Sequence, residues 1–403
     1  MPPLPSAFSF GRNWQRFLRR YSPERQQSAQ TALLDFLQLD NLAGKTFLDI
    51  GSGSGINSAA AWLAGAARVH SFDYDPASVT ATRNLHRHFG TPDNWTVEQG
   101  SVLNESYMHS LGKFDIVYAW GVLHHTGDQW RALRNAIAAM NEEARLYIAL
   151  YAKEAYPDWV YWVEVKRRYN NAGALQKRLT EINFLWENHL EKKPHKIFSL
   201  QRMMQNYRQM RGMDLMSDVR DWLGGWPTEF SSVPEVARFA KDKKLALVNL
   251  CTGEGNSEFL LVPESKVQAM GYKRVDLSDY GYDLPWLDEV PPPAQPVWIF
   301  GAGRGGDLIF SYLSGRKTPI AGFIDVERKV KALHQRPVLH VDDFIRAQPP
   351  ATPVILANRH VKENSRRLRT AGFANLFNAN RIVTLMHRHG KKAPEYLAKL
   401  RVR

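Results

Sequence analysis

Cysteine is almost missing from this sequence: one residue, Cys251, stands among 403. A single thiol excludes an internal disulfide and leaves no cysteine cluster for zinc, so no metal is expected. Also missing is any run approaching the roughly 18 apolar residues of a membrane span. The opening Met-Pro-Pro-Leu-Pro lacks the basic-then-apolar pattern of a signal peptide. These absences set the expectation of a cytoplasmic protein. Acidic residues are in deficit, 40 against 53 Lys and Arg, for a formal charge of +13. That surplus suits a polyanionic partner, whether nucleic acid, phospholipid headgroups, nucleotide sugars or acidic glycans, without choosing among them. What is present, 44% hydrophobic and 23% charged residues, is a globular composition long enough for two domains.

The chain is organised around Thr46-Phe-Leu-Asp49-Ile-Gly51-Ser52-Gly53-Ser-Gly55. An apolar run carrying one acid breaks into glycines, and an Ala-rich helical stretch follows. Strand, tight turn and helix start in this order bring a ligand against backbone amides, where glycine lets the chain approach closely. Taken alone, the same pattern also fits a tight turn with no ligand. A second strand ends at Asp73-Tyr74-Asp75, with Asp73 lying 22 residues past Gly51, where a carboxylate can accept from ribose hydroxyls. A third, Trp95–Gln99, leads to Ser101 and Val102, where an adenine edge would be read. A fourth ends at Ala119-Trp120-Gly121 and runs into Val-Leu-His124-His125.

These four stretches, in this order and spacing, resemble motifs I to IV of the class I S-adenosylmethionine-dependent methyltransferases. The resemblance covers about the first two thirds of the chain. It implies a doubly wound seven-stranded Rossmann-like sheet with S-adenosyl-L-methionine as cofactor. The cofactor would be held by Asp49, Gly51, Ser52, Gly53, Gly55, Asp73, Tyr74, Ser101, Val102 and Trp120. One departure is Ser101, which stands where the family often has Asp and would bond the adenine amino group more weakly. His124 and His125 fall on the side of the methyl acceptor, and either is a candidate base because imidazole titrates near neutrality. The bland alternative is a structural pair, one ring bonding a carbonyl and the other solvated.

Around this half the chain divides as follows. Residues 1–45 carry a basic aromatic segment with Arg12 and Trp14, read as a helical lid or as a cap on the sheet. Residues 46–262 form the methyltransferase domain, interrupted by a helical insertion over 152–232 that would cap the acceptor. In the insertion Lys166, Arg167, Arg168 and Lys177 read as a solvated basic edge. Its end, Asp221-Trp222-Leu-Gly-Gly-Trp226-Pro-Thr-Glu229, places aromatic rings beside carboxylates, a way to hold a sugar. It also resembles the Gly-Gly-Tyr-Pro-type loop of methyltransferases of envelope polysaccharide and nucleotide-sugar pathways. The other reading of that loop is a turn packing two tryptophans.

Residues 263–296, rich in proline, read as a stiff spacer. A second Gly-x-Gly-x-x-Gly, at Gly301, Gly303 and Gly306, then follows a short apolar strand, and a second strand ends at Asp325. This unit, 297–380, is a smaller Rossmann-like domain similar to the nucleotide-sugar-binding domains of bacterial sugar acyltransferases. It is expected to bind or scaffold. A basic tail, 381–403, holds seven Lys or Arg against Glu395 and is expected to be solvated, or to meet RNA or anionic lipid. The reading is a methyltransferase acting on a hydroxyl or amine of a sugar, nucleotide sugar or glycan. Its rivals are an RNA (tRNA) methyltransferase and a non-catalytic assembly protein with a vestigial site.

Overall fold

The computed structural model describes residues 9–18, 21–188, 190, 202–204, 215–253, 255–291, 293–327, 329–358, 360–393 and 395–397. The chain forms two compact units. One comprises residues up to 152 together with 159–275; the other comprises 153–158 and 276 onward.

The first unit begins with helices α1 (Gly11–Leu18) and α2 (Pro23–Leu37). Ser22 caps α2 through the Arg25 amide, and Pro23 supplies a preset first turn. Then come β1 (Thr46–Ile50), α3 (Ile56–Leu63), β2 (Arg68–Asp73), α4 (Pro76–His88), β3 (Trp95–Gln99), α5 (Glu105–Ser110), β4 (Phe114–Trp120), α6 (Gln129–Ala138) and β5 (Met140–Tyr151). The alternation that the sequence shows is therefore a parallel βα array. After the insertion, with α7 (Trp159–Asn171), α8 (Ala174–Asn188) and α9 (Leu215–Gly224), the unit closes with α10 (Val233–Asp242), β6 (Leu245–Thr252) and β7 (Asn256–Pro263). The seven strands lie in the order β3-β2-β1-β4-β5-β7-β6, with β7 antiparallel to both neighbours. β1 and β4 are central and covered on both faces, so their side chains run apolar: Phe47, Leu48, Ile116 and Val117 are wholly buried. Parallel order brings the carboxyl ends of β1 to β5 to one edge, where open sheets hold their ligands.

The second unit is a six-stranded sheet, β10-β11-β9-β8-β12-β13. Its strands are β8 (Val297–Phe300), β9 (Ile320–Asp325), β10 (Ala332–Leu333), β11 (Arg336–His340), β12 (Val354–Leu356) and β13 (Leu376–Asn378). α11 (Arg304–Ser314) follows the glycine loop, and α12 (Val341–Ala347), α13 (Val361–Thr370) and α14 (Asn380–His389) complete it. The mixed α/β architecture with a second, smaller Rossmann-like sheet is the one expected from the sequence.

Two expectations are corrected here. The stretch 263–296 is not a free spacer, since everything from 276 onward belongs to the second unit. Leu284 and Leu287 are buried in its core, and Leu287 donates to the Asn378 carbonyl at 3.0 Å. A buried leucine is worth about 1.5–3 kcal/mol, enough to fold proline-rich chain onto the sheet. The tail is not a solvated end either, as far as residue 397. Ile382, Leu385, Ala393 and Leu397 are buried, Arg381 pairs with Asp288 and Glu289, and Arg388 and His389 share Asp158. Residues 398–403 lie outside the described part. Among the described residues, no helix is long and apolar enough to cross a membrane.

Candidate functional site

At the tip of β1, Gly51, Gly53 and Gly55 all adopt positive φ, at 72°, 55° and 82°. A Cβ on Gly51 would lie 2.5 Å from Val122 Cγ1, so glycine is required there twice over. The loop is tied from outside: Thr82 on α4 donates to the Gly53 carbonyl and bonds the Ser52 hydroxyl at 2.9 Å. Ser52 is thus engaged within the fold. Asp73, at the tip of β2, accepts from the Gly53 amide at 3.0 Å and the Asp75 amide at 2.9 Å. Burial raises its pKa to about 6 against the opposing pull of those amides. Asp49 is 2% exposed and accepts from Ser58, which accepts in turn from Ser71, itself an acceptor for the Trp95 indole. Burial pushes Asp49 to about 7, with the Ser58 bond acting the other way.

Beyond β3, Ser101 accepts from the Leu103 amide, and the Val102 carbonyl accepts from the buried Asn135 amide group at 2.8 Å. Trp120, at the tip of β4, is 43% exposed, and Tyr74 is 68% exposed. Neighbouring strand tips therefore gather Asp49, the glycine loop, Asp73, Ser101, Val102 and Trp120 along one edge. Across this edge lies α1. Asp75 accepts from Ser9 and the Gly11 amide, while the Trp14 ring sits where a Cβ on Gly53 would be, 3.0 Å from its Cε2. The side chain of Arg12 lies outside the described part of the structure.

The second cluster stands at the ends of β4 and β5. His124, buried at 1% exposure, lies 3.9 Å from the Tyr151 ring and 4.4 Å from His125, centroid to centroid. Among the described residues its Nδ1 has no hydrogen-bond partner. Burial holds its pKa well below the usual value, with the charge of Lys166 adding to the shift. His125 Nδ1 meets the Pro227 carbonyl at 2.8 Å. A carbonyl only accepts, so Nδ1 carries the proton and Nε2 carries the lone pair. Burial, then Lys166, lowers the His125 pKa to about 3. Tyr151 also touches Trp222 and Phe230, at 5.1 and 5.4 Å.

Lys166 is the residue that the sequence reading missed. Far from lying on a solvated edge, it is fully buried, donates to the Trp222 carbonyl and sits 4.0 Å above the Trp222 ring. Burial lowers its pKa to about 7, opposed by Asp221. Its neighbours Arg167 and Arg168 do pair outward with Glu164, as a surface edge would. Of the proposed sugar clamp, Trp222 stands in the cluster, with Asp221 acting on Lys166. Trp226 is buried, and the half-buried Glu229 carboxylate accepts from the Gln129 amide at 2.8 Å. A cavity of about 390 Å³ opens within the insertion beside Trp162, Tyr169 and Phe184, and none of the strand-tip residues borders it.

In the second unit, Asp325 accepts from the Ala302 and Glu327 amides, both at 2.9 Å. Gly301 has φ 122°, whereas Gly306 is packed against the Gly301 carbonyl and Gly303 faces open space.

Comparison with known proteins bears on this geometry. Residues 14–191 match a family model described as a methyltransferase domain. The match takes in the glycine loop and the first five strands of the sheet, and it spans less than half of the chain. Among curated proteins, the chain is 38% identical over 85 residues to the ribosomal protein L11 methyltransferase of Prochlorococcus marinus strain MIT 9515, covering 21% of this chain and 28% of that protein. It is 41% identical over 70 residues to the Aliivibrio salmonicida protein of the same name, covering 17% and 24%. The chain thus spans only about a quarter of the length of these relatives. Among solved structures, magnesium protoporphyrin IX methyltransferase from Synechocystis, with bound S-adenosylhomocysteine, shows 14% identity and a TM-score of 0.36 over 59% of this chain and 83% of that one. The strand-tip edge fits the S-adenosylmethionine that the sequence resemblance implies. The glycines leave backbone open to close approach, and a carboxylate stands at the second strand tip.

Proposed function

We propose that the chain is an S-adenosylmethionine-dependent methyltransferase whose acceptor hydroxyl sits at the β4 and β5 tips, against His125. The observation that carries this reading is the fixed tautomer of His125, one loop away from the glycine edge. Asp49, Gly51, Gly53, Asp73, Ser101 and Val102 would hold the cofactor, which when bound supplies an electrophilic methyl and its own leaving group. The protein then has to align the acceptor, exclude water and receive one proton. Nε2 of His125 accepts the acceptor O–H and directs the oxygen lone pair. An imidazole this weakly basic does not deprotonate a free hydroxyl. It does take the proton of an alkylated oxygen, which is far more acidic, and passes it to water. Since His125 is neutral down to about pH 3, the rate should show no acid limb from it between pH 5 and 8.

The acceptor we infer is a sugar, nucleotide sugar or glycan. The partly exposed rings of Tyr151 and Trp222 beside Asp221 and His125 suit a pyranose, which offers one apolar face and several hydroxyls. A protein acceptor is the second reading, resting on the names of the curated relatives. Methyl-labelled S-adenosylmethionine given with fractionated cell extract separates them. Label resistant to both ribonuclease and protease is expected; label lost to protease supports the second reading, and label lost to ribonuclease would install RNA instead. His125→Ala should cut transfer at least 100-fold while leaving cofactor affinity unchanged, the usual scale for losing an acid–base group.

A further inference from the structure

The end of α9 is held by α7. The last carbonyls of a helix lack partners within it, and two of those of α9, on Trp222 and Leu223, are satisfied from α7, while Asp221 keeps the ordinary helical bond. The Asp221 carbonyl accepts from the Gly225 amide at 2.9 Å, Trp222 from Lys166 Nζ, and Leu223 from Asn170 Nδ2 at 3.5 Å. A buried ammonium is also well placed at the negative end of the helix dipole. The turn that follows runs directly into the candidate site. Gly225 is packed so closely on His125 that a Cβ there would lie 2.8 Å from the ring Cε1, and two residues on, Pro227 receives the His125 Nδ1 proton.

We propose that Lys166 is a positioning residue for His125. Through the Trp222 carbonyl it fixes the Gly224–Pro227 turn, and the turn fixes the imidazole with its proton on Nδ1 and its lone pair on Nε2. The groups that face the ammonium are Asp221, His124, His125 and the rings of Tyr151 and Trp222. Buried in this way, Lys166 acts on the acceptor only through the turn. The inference rests on the functional reading above for its consequence, but the geometry is testable without any acceptor.

The test is Lys166→Met, read two ways. Nitrogen-15 NMR of histidine-labelled protein reports the His125 tautomer; the wild type should show Nδ1–H alone, and the variant a mixture. Methyl transfer should lose about 100-fold in kcat, the scale for misplacing a reacting group by about an ångström, with the dissociation constant for S-adenosylmethionine changed less than twofold. If Lys166→Met does not fold, Asn170→Ala loosens the same helix end and should shift the tautomer in the same direction. A lysine with a packing role only would lower thermal stability and leave tautomer and kcat as they were, which would overturn the proposal. A shifted tautomer with no methyl transfer in the wild type would uphold the positioning role and sink the functional reading alone.

Discussion

The two glycine loops of this chain are built alike and equipped differently. In each, a strand runs into glycines and a helix, and an aspartate at the tip of the next strand accepts two backbone amides. The distances nearly coincide: 3.0 and 2.9 Å at Asp73, 2.9 and 2.9 Å at Asp325. The first loop has three glycines at positive φ, the second only Gly301. Gly305 and Gly306 in the second are taken up by packing, because a Cβ on either would fall about 2 Å from a carbonyl oxygen. The first strand carries a buried Asp49 with its serine relay, and the matching position in β8, two residues before the glycine, is Ile299. What separates the loops is thus supplied by neighbouring elements: α1 over Gly53, the β3 tip, and the histidines after β4. A Gly-x-Gly pattern specifies a turn; its chemistry comes from what the sheet brings beside it.

The comparison can be broken most forcefully at the paired aspartates. Asp73→Ala should weaken S-adenosylmethionine binding about 100-fold, the loss of one or two hydrogen bonds to a charged group, whereas Asp325→Ala should leave it unchanged by calorimetry. Next come the glycines. Gly51→Ala meets both a positive φ and Val122 and should cost about 1–3 kcal/mol in chemical denaturation. Gly303→Ala, with open space around it, should change stability by less than about 0.5 kcal/mol. A further prediction concerns Asp49, whose raised pKa gives a definite sign. The protonated form is favoured in the fold, so its contribution is full below pH 4 and is lost as pH rises towards about 7. Thermal scans of the ligand-free protein should therefore show wild type losing a few degrees between pH 5 and 7.5 relative to Asp49→Asn. A parallel decline in both would remove Asp49 as the cause, leaving Asp73, which titrates with the same sign.

Much of this was legible in the sequence because it is local. The five βα strands, the glycine turns and the carboxylates at strand tips follow from patterns within about ten residues. What stayed hidden depends on distant partners. Lys166 reads as one of three basic residues in a row; its burial is decided by Trp222, 56 positions on. The proline-rich stretch before β8 reads as spacer until Asn378 pairs with it from the far end of the unit. The basic tail reads as solvated because Asp158, which neutralises Arg388, lies 230 residues earlier. Trp226 and Glu229 share the composition of a sugar clamp, and only packing shows that one is buried and that the other also holds the Gln129 amide. No periodicity carries that information.

The central claim, that the first loop and not the second holds the cofactor, is tested most directly by calorimetric titration of the full chain with S-adenosylmethionine. The account predicts one equivalent bound per chain. Two equivalents, none, or one equivalent whose affinity is unchanged by Asp73→Ala would contradict it.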